Sequence, residues 1–313
     1  MTTIERLDRW RADGVISDQQ HGLLSSLVRR ERFSVFVELS ALLYVGVLSI
    51  IGGLTWTFRD YLDRLGDLTI LSILLILVAA AFGYCAVKTA PYSNDDVEPP
   101  TFAFDYVLYF GCLVFSSALA FLETRFGVFR GWDTHLLIAA AVFGGLAYRF
   151  DNRFVLSLAM SSLAGYVGLK LSLFDAPRTE YLRLVAILYG AFLIGTGWLL
   201  WRQRIKRHFF DVYLHLGSNA ILLATASGVA GGSRELLYLL AVLVLASLSI
   251  GLGITYRRFA FVAYGTLYGY AAVSSKILSV IRDSTLGLLY FIVTGSLVVV
   301  TLVVIARKFG RDE

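Results

Sequence analysis

From about residue 34 onward the chain reads as apolar blocks of about 20 residues separated by short charged clusters. A helix of that length crosses a hydrocarbon core about 30 Å thick. Ten such blocks are predicted as helices, over about 35–58, 67–89, 102–123, 133–149, 153–174, 181–202, 209–230, 234–256, 258–281 and 284–307. All four prolines (Pro91, Pro99, Pro100, Pro177) fall between blocks, as expected of a residue that disrupts a helix interior. The fold class is therefore all-α: a polytopic membrane protein of about ten transmembrane helices. The block at 133–149 is the shortest.

Residues 1–33 follow a different pattern. Thr2 with Glu5 and Ser17 with Gln20 have capping-box spacing, and Gly14 between them suits a helix C-cap. Ile4, Leu7, Trp10 and Val15 are placed to pack against Leu23, Leu24 and Leu27. The prediction is a short cytoplasmic amphipathic helical hairpin, lying on the membrane surface or docking a cytoplasmic partner. The stretch mixes acids and bases and has no apolar h-region, so no cleaved signal peptide is expected.

The apolar body repeats itself. "FDYVLYFG" at Phe104 matches "FDVYLHLG" at Phe210, and "GGLAYRFDNRF" at Gly144 resembles "LGITYRRF" at Leu252. Lys170 falls opposite Lys276, and Gly190 and Arg202 fall opposite Gly295 and Arg307. The offset stays near 105 residues. Four blocks per copy, an even number, make the two copies parallel. The organisation is then 1–33, the hairpin; 34–101, the first two transmembrane helices and the acidic loop "SNDDVEPP"; 102–207, four-helix repeat A; 208–308, four-helix repeat B; and 309–313, a cytoplasmic tail. Gly265 with Gly269, and Ser161 with Gly165, have the small-xxx-small spacing that lets helices approach closely in lipid; they are expected to pack the repeats together.

Composition agrees with a membrane class. The chain is 57% hydrophobic and 16% charged, against about 25% charged in soluble domains. Its net charge of +5 does not signal nucleic acid, because the basic residues sit at block ends. Apart from the acidic loop, every second junction is the richer in Lys and Arg, which places both termini in the cytoplasm. Cys85 and Cys112 lie inside apolar blocks and form neither a disulfide framework nor a metal spacing.

Charged residues inside the blocks are the candidates for function, since a charge at mid-span costs about 2.5–3.5 kcal/mol. One helical face of block seven carries Asp211, His215 and Ser218, with Asn219 beside them. The matching face of block three carries Asp105, Tyr109, Cys112 and Ser116. Such stripes face a bundle interior or a wet cavity, so Asp105, Tyr109, Asp211, His215, Ser218 and Asn219 are the candidate pathway or ion-coupling residues. The competing reading makes both aspartates first-turn caps that complement the helix dipole. Lys170 and Lys276 snorkel to an interface, pair with acids, or bind an anion. No H-E-x-x-H, G-x-S-x-G, P-loop or dinucleotide fingerprint occurs, so no catalytic residue, metal or cofactor is assigned and an enzyme is not expected.

The N-terminal "LDRWRADGVISDQQHGLL" followed by "LLYVGVLSIIGG" resembles a family of bacterial membrane proteins known as domain of unknown function 2157. The resemblance implies a bacterial inner membrane and carries no functional residues. Three readings follow. The first is a transporter or channel-like protein for a small solute or ion, with a pathway between the repeats. The second is a non-transporting scaffold or sensor that docks a cytoplasmic partner through residues 1–33. The third and weakest is an embedded lipid-modifying enzyme. The bilayer is the partner common to all three, and nucleic acid belongs to none.

Overall fold

The computed structural model describes residues 9–15, 17–18, 20–21, 66–97, 99–129, 131–172, 179–230, 234–281 and 283–309. Among the described residues the regular structure is entirely helical. Nine long helices run in order: α1 (Asp67–Lys88), α2 (Phe102–Phe126), α3 (Trp132–Phe150), α4 (Arg153–Ser172), α5 (Thr179–Arg202), α6 (Phe210–Ser227), α7 (Glu235–Thr255), α8 (Phe259–Val280) and α9 (Ser284–Phe309). They fall on nine of the predicted blocks, including the short one at α3. The block at 35–58 and the Thr2–Glu5 box lie outside the described residues. By length and composition five helices are able to cross a membrane: α1, α2, α5, α7 and α9.

The chain divides into two compact units, 67–299 and a second formed by 1–66 with 300–313. Within the second, residues 9–12 are helical and stop at Gly14, whose φ of +71° suits a residue without Cβ. The Val15 N–H bonds back to the Trp10 carbonyl at 2.9 Å. Ser17 and Gln20 exchange capping bonds of 2.9 and 3.2 Å. Trp10 and Val15 are exposed; Leu23, Leu24 and Leu27 lie outside the described residues.

The larger unit is assembled from helical hairpins: α1 with α2, α3 with α4, α5 with α6, and α7 with α8. Helix α6 also touches α4, α7 and α8. It carries Asp211, His215, Ser218 and Asn219 and buries Tyr213, Gly217, Leu222, Ala224 and Thr225. Lipid-facing helices have no such latitude, and α9 accordingly presents an apolar exterior. Helices α5 and α6 approach closely at two glycines. A Cβ on Gly217 would stand 2.7 Å from the Gly190 carbonyl oxygen, and one on Gly190 would stand 2.6 Å from that of Gly217.

The main core joins α1 to α4 around Phe104, Leu108, Cys112, Phe143 and Val155, and reaches Leu193, Phe209 and Tyr213. A smaller cluster of Val229, Val242 and Ala272 ties α7 and α8 to the end of α6. The short connections between α3 and α4 and between α7 and α8 turn in the same way. Asp151 and Arg257 take left-handed conformations with φ of 55° and 53°. The following N–H groups, of Asn152 and Arg258, bond back to Ala147 and Gly253 at 3.1 and 2.8 Å.

Candidate functional site

The two aspartates are held separately, each by the turn that follows the next helix. Asp105, in the first turn of α2, accepts a 2.9 Å bond from the Asn152 amide, whose nitrogen also lies 3.1 Å from the Tyr109 hydroxyl. The Asn152 side-chain oxygen accepts the Val155 N–H at 2.9 Å and so caps α4. Asn152 is buried, so one side chain fastens α2 to the α3–α4 turn. Asp211, in the first turn of α6, pairs with Arg258 at 2.5 Å. Both members of that pair are more than two-fifths exposed, at 44% and 43%.

Deeper in α6 the stripe continues without a charge. The His215 ring stacks on Phe261 with centroids 4.9 Å apart and meets Tyr264 edge-on. Its buried Nδ1 has no hydrogen-bond partner. Asn219 donates to the His215 carbonyl at 2.8 Å and accepts from the Tyr268 hydroxyl at 3.1 Å.

Two large cavities flank α6. One, of about 480 Å³, lies among α4, α5 and α6 and includes Ser161 and Asn219 in its lining; the other, of about 450 Å³, lies among α5, α6, α7 and α8 and includes Ser218. Asp105, Tyr109, Asp211 and His215 line neither. The six residues expected to share one path are thus distributed over two turn contacts, one aromatic stack and two separate cavities.

The lysines pair with acids at the opposite ends of two hairpins. Lys170 bonds Asp133 at 2.7 Å, and Lys276 bonds Glu235. Each ties the fourth turn or later of one helix to the first turn of the helix before it, closing α3/α4 and α7/α8 at the end away from their connecting turn. The small residues also act inside hairpins, which corrects the expectation that they pack repeat against repeat. A Cβ on Gly165 would meet Leu136 of α3 at 3.1 Å. On Gly265 it would meet the Ala246 carbonyl oxygen of α7 at 2.5 Å, and on Gly269 the Ala246 Cβ at 3.3 Å. Ser161 is exposed on α4.

The most densely bonded cluster contains residues that the sequence reading did not single out. Asp151 accepts from the Val97 N–H at 2.7 Å and contacts Lys206 Nζ at 3.0 Å and His208 Nε2 at 2.5 Å. The Asp151 and Lys206 side chains are only 3% and 1% exposed. Lys206 also lies over the Tyr92 ring, and Arg153 bonds Asp96 at 2.7 Å. The acidic loop after α1 is therefore clamped against the α3–α4 and α5–α6 turns. Asp96, Asp151 and His208 stand close enough to share a cation, with ligand atoms within 4.8 Å of one another. Lys206 and Arg153 already supply the positive charge there, so the cluster is complete as an ion-pair network. The sequence signal was the acidic loop itself, the one junction that breaks the charge alternation, together with the basic cluster Arg202, Arg204, Lys206 and Arg207 predicted on the same side.

No curated protein and no solved structure matches the chain. Residues 8–156 match the family model described as predicted membrane protein (DUF2157). With five helices able to cross a bilayer, this is an integral membrane protein, and over that stretch it is similar to the family that its N-terminal motif resembles.

Proposed function

We propose that the protein is a non-transporting scaffold or sensor of the bacterial inner membrane. In this reading it spans the bilayer about ten times, with both termini in the cytoplasm, and is built on a tandem four-helix repeat. It docks a cytoplasmic partner through residues 1–33, where Trp10 and Val15 are exposed, and it catalyses no reaction. One observation carries the choice over a carrier: Asp105 and Asp211 are each engaged by a turn residue at a helix end, and neither lines either of the two large cavities among the described residues. A coupling carboxylate has to face the path it serves.

The repeat is supported by matched contacts. Asp105 with Asn152 and Asp211 with Arg258 occupy equivalent places, as do the left-handed Asp151 and Arg257 and the lysines Lys170 and Lys276, whose partner acids Asp133 and Glu235 differ by one helical turn. The positive-inside pattern supports the orientation.

The transport reading rests on His215, whose buried Nδ1 lacks a partner next to the Asn219–Tyr268 contact. Cysteine accessibility separates the two. Single cysteines at Ser116, Ser218 and Asn219, in a chain with Cys85 and Cys112 replaced by alanine, are treated with a membrane-impermeant thiol reagent from each side. A scaffold leaves all three unlabelled. Labelling along the stripe establishes a wet path and sinks the proposal. Recovery of the same partners after deletion of residues 1–33 counts against the docking role.

A further inference from the structure

The cavity bounded by α5, α6, α7 and α8 has a counterpart in the first half of the larger unit, and the two differ in the side chains along their walls. The register that aligns Phe104-Asp105 with Phe210-Asp211 brings the walls of this cavity onto the main core. In that core Phe143 is 3% exposed and meets Phe115 edge-on with centroids 6.0 Å apart. The equivalent positions here are Ser249 and Ile221, both lining the cavity. At these two positions a phenyl ring gives way to a smaller group, while Leu245 and Phe261 are larger than Ala139 and Val155 of the first half; the second half holds a space of about 450 Å³. Interiors are close-packed, so a missing ring leaves room. This size lies within the range of about 300–1,000 Å³ usual for ligand pockets.

The entrance differs too. The buried, neutral Asn152 of the first half corresponds to Arg258, which lines this cavity and is 43% exposed. Asp211 takes one edge of the guanidinium, and Tyr256 stands beside it in the lining. The neighbouring turns add Arg257 and Arg207, the latter over the Trp201 ring, which in turn contacts Phe210 at the entrance. Inward from there the walls are almost wholly apolar. Along α6 the lining runs from Phe210 to Leu222, a rise of about 18 Å at 1.5 Å per residue. One leaflet of a hydrocarbon core is about 15 Å deep.

We propose that this cavity holds one acyl chain of an anionic phospholipid, with its phosphate at Arg258. The apolar slot matches a chain in length and polarity. The arginines lie at the end where a headgroup from the same leaflet sits, and basic pockets between helices on the cytoplasmic side recognise such headgroups. Free phosphate would make no use of the slot. Asp211 is the built-in competitor for the guanidinium. Only the comparison between halves rests on the repeat proposed above; the cavity and its arginine stand without it.

The test is native mass spectrometry of the full chain in mild detergent, incubated with equal amounts of phosphatidylglycerol and phosphatidylcholine carrying the same chains. The wild type retains phosphatidylglycerol preferentially. Arg258→Gln lowers that preference roughly fivefold, the worth of one basic residue at an anionic surface; Arg258→Lys retains most of it. Ser249→Phe, which restores the ring found at Phe143, removes the retained lipid. Leu245→Trp, one turn away on the same face of α7, does the same should Ser249→Phe fail to fold. Ala164→Phe, in the other cavity, leaves retention intact. Wild-type binding indifferent to headgroup overturns the proposal, as does undiminished phosphatidylglycerol on a folded Ser249→Phe or Leu245→Trp protein. Loop labelling that contradicts a parallel repeat, with lipid still lost on Ser249→Phe, removes the repeat and leaves the site.

Discussion

Replacing Asp151 by alanine tests whether the clamped loop is a source of stability. The carboxylate faces Lys206 at 3.0 Å and His208 at 2.5 Å and accepts the Val97 N–H at 2.7 Å. With Lys206 only 1% exposed, truncation leaves an ammonium without its acid in a site that water scarcely reaches. Breaking a buried pair from one side costs about 3–5 kcal/mol. Alanine also has to hold the left-handed turn at φ 55°, a further cost of about 1–2 kcal/mol. Asparagine tolerates that turn and keeps a carbonyl oxygen for Val97, so Asp151→Asn is the milder variant. Adding Lys206→Met to Asp151→Ala removes the stranded charge and recovers part of the loss, because removing both members of a buried pair is far less costly than removing one.

The assay is a denaturing-detergent titration of the purified protein in mixed micelles, followed by circular dichroism, on the wild type, both single variants and the double. The double-mutant cycle is expected to show coupling well beyond the 0.3–0.5 kcal/mol within which independent sites add. Two results refute the reasoning: an Asp151→Ala protein within about 0.5 kcal/mol of wild type, as for an ordinary surface change, or a double variant whose loss equals the sum of the singles.

Three further outcomes follow. Gly217→Ala destabilises the α5–α6 hairpin by about 1–3 kcal/mol, the usual cost of overpacking, because the new Cβ meets the Gly190 carbonyl oxygen at 2.7 Å; unchanged unfolding in the same titration would mean that the helices separate freely. Cys85 and Cys112, 0% and 1% exposed, resist maleimide in the folded protein and react once denaturing detergent opens the core; rapid labelling in mild detergent contradicts the packing. Cysteines introduced at Ser93 and Val128 label from opposite sides of the membrane, since α2 lies between them; labelling from one side removes α2 as a span.

Much of the helical framework was legible because its cause is local. Block length, proline placement and capping spacing each depend on a few neighbouring residues, and the Ser17–Gln20 bonds appear where that spacing put them. The aspartate stripes were legible as stripes for the same reason: a 3.6-residue period fixes which side chains share a face. What occupies an acid from across a turn is not local. Asn152 reaches Asp105 and Arg258 reaches Asp211 over 47 residues in each case. No periodicity within one helix encodes that distance.

A signal was nevertheless present in the repeat. "YRFDNRF" and "TYRRF" are similar strings, and an ungapped offset of 106 residues, within two of theirs, carries Asp105 onto Asp211 and Asn152 onto Arg258. Two motifs that keep their separation through a duplication are candidates for contact, because a pair in contact constrains both of its members. The differences between copies then carry the functional information. A neutral, buried Asn152 fastens two helices and offers nothing outward. Arg258 in its place leaves the acid paired and adds a reachable positive charge beside a cavity lined by Ser249, where the first half has Phe143. Unpaired, those two changes would cost packing and desolvation with no return; together they make a slot with a cationic entrance. That conjunction is the reason to look for function in the second half, at its turn, rather than along the acid-headed stripe.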